Sequence, residues 1–172
     1  MKVSRHTLFI VVILSCSIIY GCNSENTDGT VLTGTVTKVY DGDSIHITPD
    51  GKKRVVIRLA AIDAPEVKQS HGIQSRDFLR RIIMSKQVTA RCNKLDKYKR
   101  HVCVVLHNGQ DTNLLMVESG QAWYFERFKD EQTHQQQRLY RKAATNAKNQ
   151  KLGLWQNTSV IPPWEFRASN SN

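Results

Sequence analysis

Long hydrophobic runs are scarce in this 172-residue chain, and the most conspicuous, at 8–20, spans only thirteen residues. A membrane-spanning helix needs about 20 apolar residues, so a run this short behind Lys2 and Arg5 reads as the core of an export signal. Cysteine is equally sparse: Cys16 and Cys22 belong to the leading segment, leaving Cys92 and Cys103. Their spacings do not form a zinc site. With 4 Pro and 9 Gly, the composition excludes a collagen-like or low-complexity chain, and no internal repeat suggests a solenoid. Acids are short as well, 15 against 25 Lys and Arg, for a net charge of +10. Removing residues 1–21 takes away two bases and no acids, so 23 face 15 and the domain itself is basic. Such a surface attracts polyanions, with nucleic acid the leading partner class and anionic membrane surfaces served equally well.

The chain divides into a signal segment 1–21, a linker 22–29, a domain 30–156 and a flexible tail 157–172. Gly21-Cys22 followed by a polar stretch resembles a bacterial lipoprotein signal, in which Cys22 carries the lipid. Ile19 and Tyr20 depart from that pattern, so ordinary cleavage with Cys22 as a spare thiol stays open. Export implies either a membrane-anchored lipoprotein facing the periplasm or cell exterior, or a secreted protein. It also permits a disulfide between Cys92 and Cys103, with two separate buried thiols as the alternative.

From Thr30 to about His107 the pattern is mainly strand, broken by turns at Asp41-Gly42 and Pro49–Lys52. Residues 54–61 form a third strand, ended by Asp63-Ala64-Pro65. A helix is expected at 74–84, then strands at 87–92 and 101–106 and a turn at Asn108-Gly109. Short and long helices follow at 113–119 and 130–150. The expected fold is α+β: a five-stranded OB-fold β-barrel with three helices.

Three places carry chemistry. Asp41-Gly42-Asp43 puts carboxylates on a turn, where they can converge on a hard cation, although alone the motif is also a plain β-turn. Arg58 lies in an apolar strand and needs an anion if it points away from its apolar neighbours. Asp63 and Glu66 follow it across Pro65, a metal ligand and a potential base from one rigid turn; alone, the segment reads equally as a surface Arg–Glu pair. Asp96–Arg100 interleaves basic residues with Tyr98, which suits phosphate contact and base stacking or a simple solvated loop.

The motifs DGDS, RLAAIDAPE, DKYKR and ESGQAW, in that order, closely resemble the staphylococcal nuclease family over about residues 30–156. Asn113 and Gly153-Leu154-Trp155 fit the same pattern. The resemblance implies one Ca²⁺ held by Asp43, Asp63 and the backbone carbonyl of Ala64, with Asp41 supporting from behind. It implies Glu66 as activator of the attacking water, Arg58 and Arg100 as the pair gripping the scissile phosphate, and Lys97 and Tyr98 on a neighbouring phosphate. Phe128 keeps one stacking position. Lys99 stands where the family commonly has glycine, and Glu126 where members that stack a nucleotide carry tyrosine. The function so implied is calcium-dependent hydrolysis of DNA and RNA phosphodiesters by a monomer. The rivals are a non-catalytic OB-fold module that binds nucleic acid at the envelope, and a basic lipoprotein for membrane or cell-wall adhesion.

Overall fold

The computed structural model describes residues 29–50 and 53–170. The expected signal segment 1–21 and Cys22 lie outside the described residues. The first strands follow the alternation of apolar and polar residues: β1 (Thr30–Val39), β2 (Ser44–Pro49) and β3 (Val55–Leu59) form an antiparallel meander. A two-residue strand, β4 (Ile62–Asp63), follows, and helix α1 (Gly72–Ile83) leads into β5 (Gln87–Leu95) and β6 (His101–His107). β5 lies antiparallel to both β1 and β6, and β6 runs parallel to β3. That last pairing closes five strands, in the order β3-β2-β1-β5-β6, into a barrel, the OB-type α+β architecture expected.

The barrel interior takes Ile45, Ile47, Ile57, Leu59 and Val105, each 1% exposed or less. α1 adds Leu79 and Ile83 from one face, both fully buried, each contributing about 2 kcal/mol of burial. After the short β7 (Gln110–Asp111), helix α2 (Thr112–Glu118) is capped by Asp111, whose side chain accepts the Leu114 N–H. The carboxyl of Asp111 also accepts from Tyr140 at 2.8 Å. Tyr140 lies on α3 (His134–Asn149), so this contact helps dock the long helix. A second small ladder pairs β4 with β8 (Trp123–Tyr124).

Three expectations are corrected. The long helix begins at His134, not at 130, because Thr133 and Gln136 form a reciprocal capping box, and Glu126–Glu131 is a 3₁₀ helix instead. There are four α-helices among the described residues where three were expected. The fourth, α4 (Pro163–Ser169), lies in the segment read as a flexible tail. Pro163 at its first turn has the fixed φ that starts a helix, and Trp164 gives it an aromatic anchor. The open question of Cys92 and Cys103 resolves as a disulfide: the two residues face each other across β5 and β6. No described helix is long and apolar enough to cross a membrane.

Candidate active site

Arg58 and Ser44 are paired across β2 and β3, which puts the guanidinium beside the turn that opens β2. That turn is tight. A Cβ on Gly42 would come within 1.9 Å of the Ser75 hydroxyl and 2.7 Å of the Ala64 Cβ, so only glycine lets the loop lie against the Asp63 turn. Asp41 accepts the backbone N–H of Asp43 at 2.9 Å. Asp43 in turn accepts the Ala64 N–H at 2.7 Å and the Ser44 hydroxyl at 3.0 Å. The Asp63 turn is shaped by Ala61, whose φ of 61° reverses the chain after β3 and whose carbonyl accepts the Phe125 N–H.

Arg58 bridges the two turns. One guanidinium nitrogen is 3.2 Å from Asp43 and the other 3.1 Å from Asp63, with those side chains only 7% and 2% exposed. The anion that the strand position of Arg58 demanded is therefore a pair of carboxylates from separate turns. On the other side of the site, Asp96 organises its loop by accepting the N–H groups of Tyr98 and Arg100 and the Arg100 Nε at 2.7 Å. Burial pushes the Asp96 carboxyl up, but these Arg100 and Tyr98 contacts outweigh it and hold it below the ordinary range. The fixed arginine reaches across to donate to Ser44 at 3.3 Å, so Arg100 connects through that hydroxyl to Asp43. Lys99 adopts a φ of 61°, the left-handed conformation that accounts for the glycine common at this place in the resembled family.

The two turns, Arg58 and the Asp96 loop meet at one cavity of about 700 Å³. Asp41, Asp43, Arg58, Asp63, Ala64, Glu66, Lys97, Tyr98, Arg100 and Phe128 all lie on its wall, so the structure brings together every described residue to which the resemblance gives a role at the site. Lys97 and Arg100 both approach the exposed Tyr98 ring, at 5.0 and 5.4 Å from its centroid. Phe128 sits edge-on to Phe125 with Lys94 above it. Glu126, by contrast, turns away to pair with Arg141 of α3 at 3.0 Å.

Two further wall residues come from the C-terminal helix. Arg167 of α4 donates to both oxygens of Asp63, at 3.2 and 2.7 Å, and to Glu66 at 2.8 Å. Trp164 stacks on Phe125 with ring centroids 5.0 Å apart. No local motif marks either, because their partners lie far away in the chain; Arg167 and Asp63 are 104 residues apart.

The electrostatics are those of crowded acids. Burial, reinforced by Asp43, pushes the Asp41 carboxyl up to about 7. Burial also raises Asp63, opposed first by its hydrogen bonds from Arg167. Among the described residues, no three His, Cys, Asp or Glu side chains are gathered closely enough to hold a metal ion as they stand. The donor chemistry nonetheless fits a hard divalent cation. Asp43 and Asp63 present carboxylate oxygens on either side of Arg58, and their buried charge is compensated here by guanidinium groups.

Fold and site together define an OB-type barrel with a cavity lined by carboxylates and guanidinium groups. The family model described as "Staphylococcal nuclease homologue" matches residues 56–157. The chain is similar to an uncharacterized endonuclease of Haemophilus influenzae, 30% identical over 96% of this chain and 86% of the relative. It is also similar to an uncharacterized endonuclease of Escherichia coli O157:H7, 36% identical over 78% of this chain and 84% of the relative. A micrococcal nuclease of Shigella flexneri is 32% identical over 81% of this chain and 82% of its own length. The chain belongs to the staphylococcal nuclease family. That membership makes it a nuclease-type hydrolase whose substrates are nucleic acids, in a family that generally depends on a metal ion.

Proposed function

We propose that this protein is an exported, calcium-dependent nuclease that hydrolyses phosphodiester bonds in both DNA and RNA by attack of water on phosphorus. The observation that carries the reading is the convergence on one cavity of Arg58, Arg100, Asp43, Asp63 and Glu66 from separate turns and loops. Asp43, Asp63 and the Ala64 carbonyl would hold the calcium ion. When bound, that ion supplies Lewis-acid polarisation of a non-bridging phosphate oxygen.

The remaining steps belong to the chain's own side chains. Glu66 stands at the cavity wall on a turn stiffened by Pro65, with its backbone N–H donated to Gln69. From there its carboxylate orients the attacking water and takes its proton. Arg58 and Arg100 present planar forks to the phosphate and bind it more strongly as negative charge accumulates in the transition state. Arg58 is held in place by its two acids, Arg100 by Asp96 and Ser44, so neither has to be ordered at the moment of reaction. Lys97 and Tyr98 extend the basic wall toward the next phosphate, and Phe128 offers a ring for a base.

Incubation of the purified protein with plasmid DNA and with RNA tests this reading. Cleavage in calcium that stops in excess EGTA is expected. Binding of either polyanion without cleavage would overturn it in favour of a non-catalytic OB-fold module. Export by residues 1–21 and lipid anchoring at Cys22 belong to the same proposal, supported by the leader sequence, and mass spectrometry of the mature N-terminus tests them.

A further inference from the structure

Arg167 reaches the site from a segment beyond the family match at 56–157. Its guanidinium is committed to protein acids: it straddles both oxygens of Asp63 and takes an oxygen of Glu66. Here the fork is spent on the oxygens that a cation at Asp63 needs.

The helix that carries it is a short strap held at a few places. Trp164 stacks on Phe125 at 28° and lies edge-on to Trp123, with centroids 6.3 Å apart. Gln69 donates its side-chain amide to the Ile161 carbonyl, fixing the chain just before the helix. Pro163 is buried, while Glu165, Arg167 and Ala168 keep a large share of their surface exposed. Arg167 itself keeps 46% of its side chain accessible, so it can leave without unfolding the barrel.

We propose that the C-terminal helix is a self-inhibiting strap whose Arg167 guanidinium competes with the divalent cation for Asp63 and at the same time occupies Glu66. The inference rests on the metal-dependent reading above and adds to it a closed state in which a guanidinium replaces the ion as counter-charge. Without the ion, Asp41, Asp43, Asp63 and Glu66 crowd one wall, and Arg167 offsets a repulsion that Arg58 alone only partly relieves. Loading then requires the strap to release Asp63. The apparent cation affinity is reduced by the fraction of molecules in which the strap is closed.

Calorimetric titration of the full chain with calcium chloride, without nucleic acid, tests the strap independently of activity. Arg167→Gln is expected to bind calcium about tenfold more tightly than wild type, the equivalent of losing one competing charge-assisted pair. Trp164→Ala, which loosens the helix but leaves every acid in place, is expected to shift affinity in the same direction. Asp63→Asn is the reference for the site and should abolish the binding. Equal or weaker calcium affinity in both strap variants, with Asp63→Asn still losing it, would overturn the strap and leave the nuclease reading standing. No calcium binding by any of the proteins would overturn both together.

Discussion

Arg58 forms an ion pair with Asp43 through one guanidinium nitrogen at 3.2 Å and donates the other to Asp63 at 3.1 Å, and so ties the turn before β2 to the turn after β3. The same side chain that should grip the phosphate thus holds the two buried acids in place. Removing it leaves them facing each other with only Arg167 in partial compensation. We expect Arg58→Ala to lose about 3 kcal/mol of stability in EGTA, near the lower end for breaking a buried pair. Urea unfolding checks this, and added calcium should recover part of the loss, because it binds the folded form. A stability loss under about 0.5 kcal/mol, typical of surface positions, would contradict the structural half of its role.

Glu66 and Arg100 differ from Arg58 in that neither bridges the two buried acids. Glu66→Gln keeps the shape and removes the base, so the rate of plasmid cleavage should fall by about 10²–10⁴-fold. Arg100→Lys keeps the charge and removes the fork, with an expected loss of about 10²-fold in kcat. Single-turnover cleavage assays measure both, and circular dichroism should show unchanged folds.

The disulfide between Cys92 and Cys103 closes a loop with a sequence separation of 11. Its removal in a Cys92→Ser, Cys103→Ser double variant should cost about 2–3 kcal/mol. Calorimetry should then show a Tm lower by roughly 10 °C. Dithiothreitol should lower the wild-type Tm and leave that of the double variant unchanged.

His46 gives a pH dependence away from the catalytic acids. Burial, with Arg54 and Lys38 nearby, pushes its imidazole below the usual value of 6.5. Its ring accepts or donates a 2.8 Å hydrogen bond with the Tyr40 hydroxyl, depending on the tautomer. Because the folded form protonates later than the unfolded one, the unfolded chain holds more protons in the window below about 6.5. Stability from this group is complete above that pH and is lost as pH falls through the lowered folded value. His46→Gln should therefore show a shallower decline in urea stability as the pH falls below about 6.5. An identical slope in both proteins would remove His46 from the account.

Much of this protein could be read along the chain because the governing interactions are local or periodic. The alternation in β1 to β3, the Asp41-Gly42 turn, the Pro65 constraint before Glu66 and the Asp96 loop all act over a few residues. The order of DGDS, RLAAIDAPE and DKYKR named the cavity wall, and the structure places those side chains together. The start of α3 was legible too, in Thr133 and Gln136, although the polar run before them obscured it.

Only the tertiary structure decided how distant groups share their charge. Arg58 takes Asp43 as well as Asp63, and Arg100 meets Ser44, because barrel closure brings β2, β3 and the loop before β6 to one face. Glu126 lies off the cavity wall because Arg141 on α3 pairs with it. The pairing of Cys92 with Cys103 follows from the register of β5 on β6. Arg167 is the clearest case. Nothing near it in the chain marks it as a site residue, and its acids lie about a hundred residues earlier. A guanidinium finds its carboxylates through space, so where the C-terminal helix comes to rest is settled by the fold and not by any neighbouring residue.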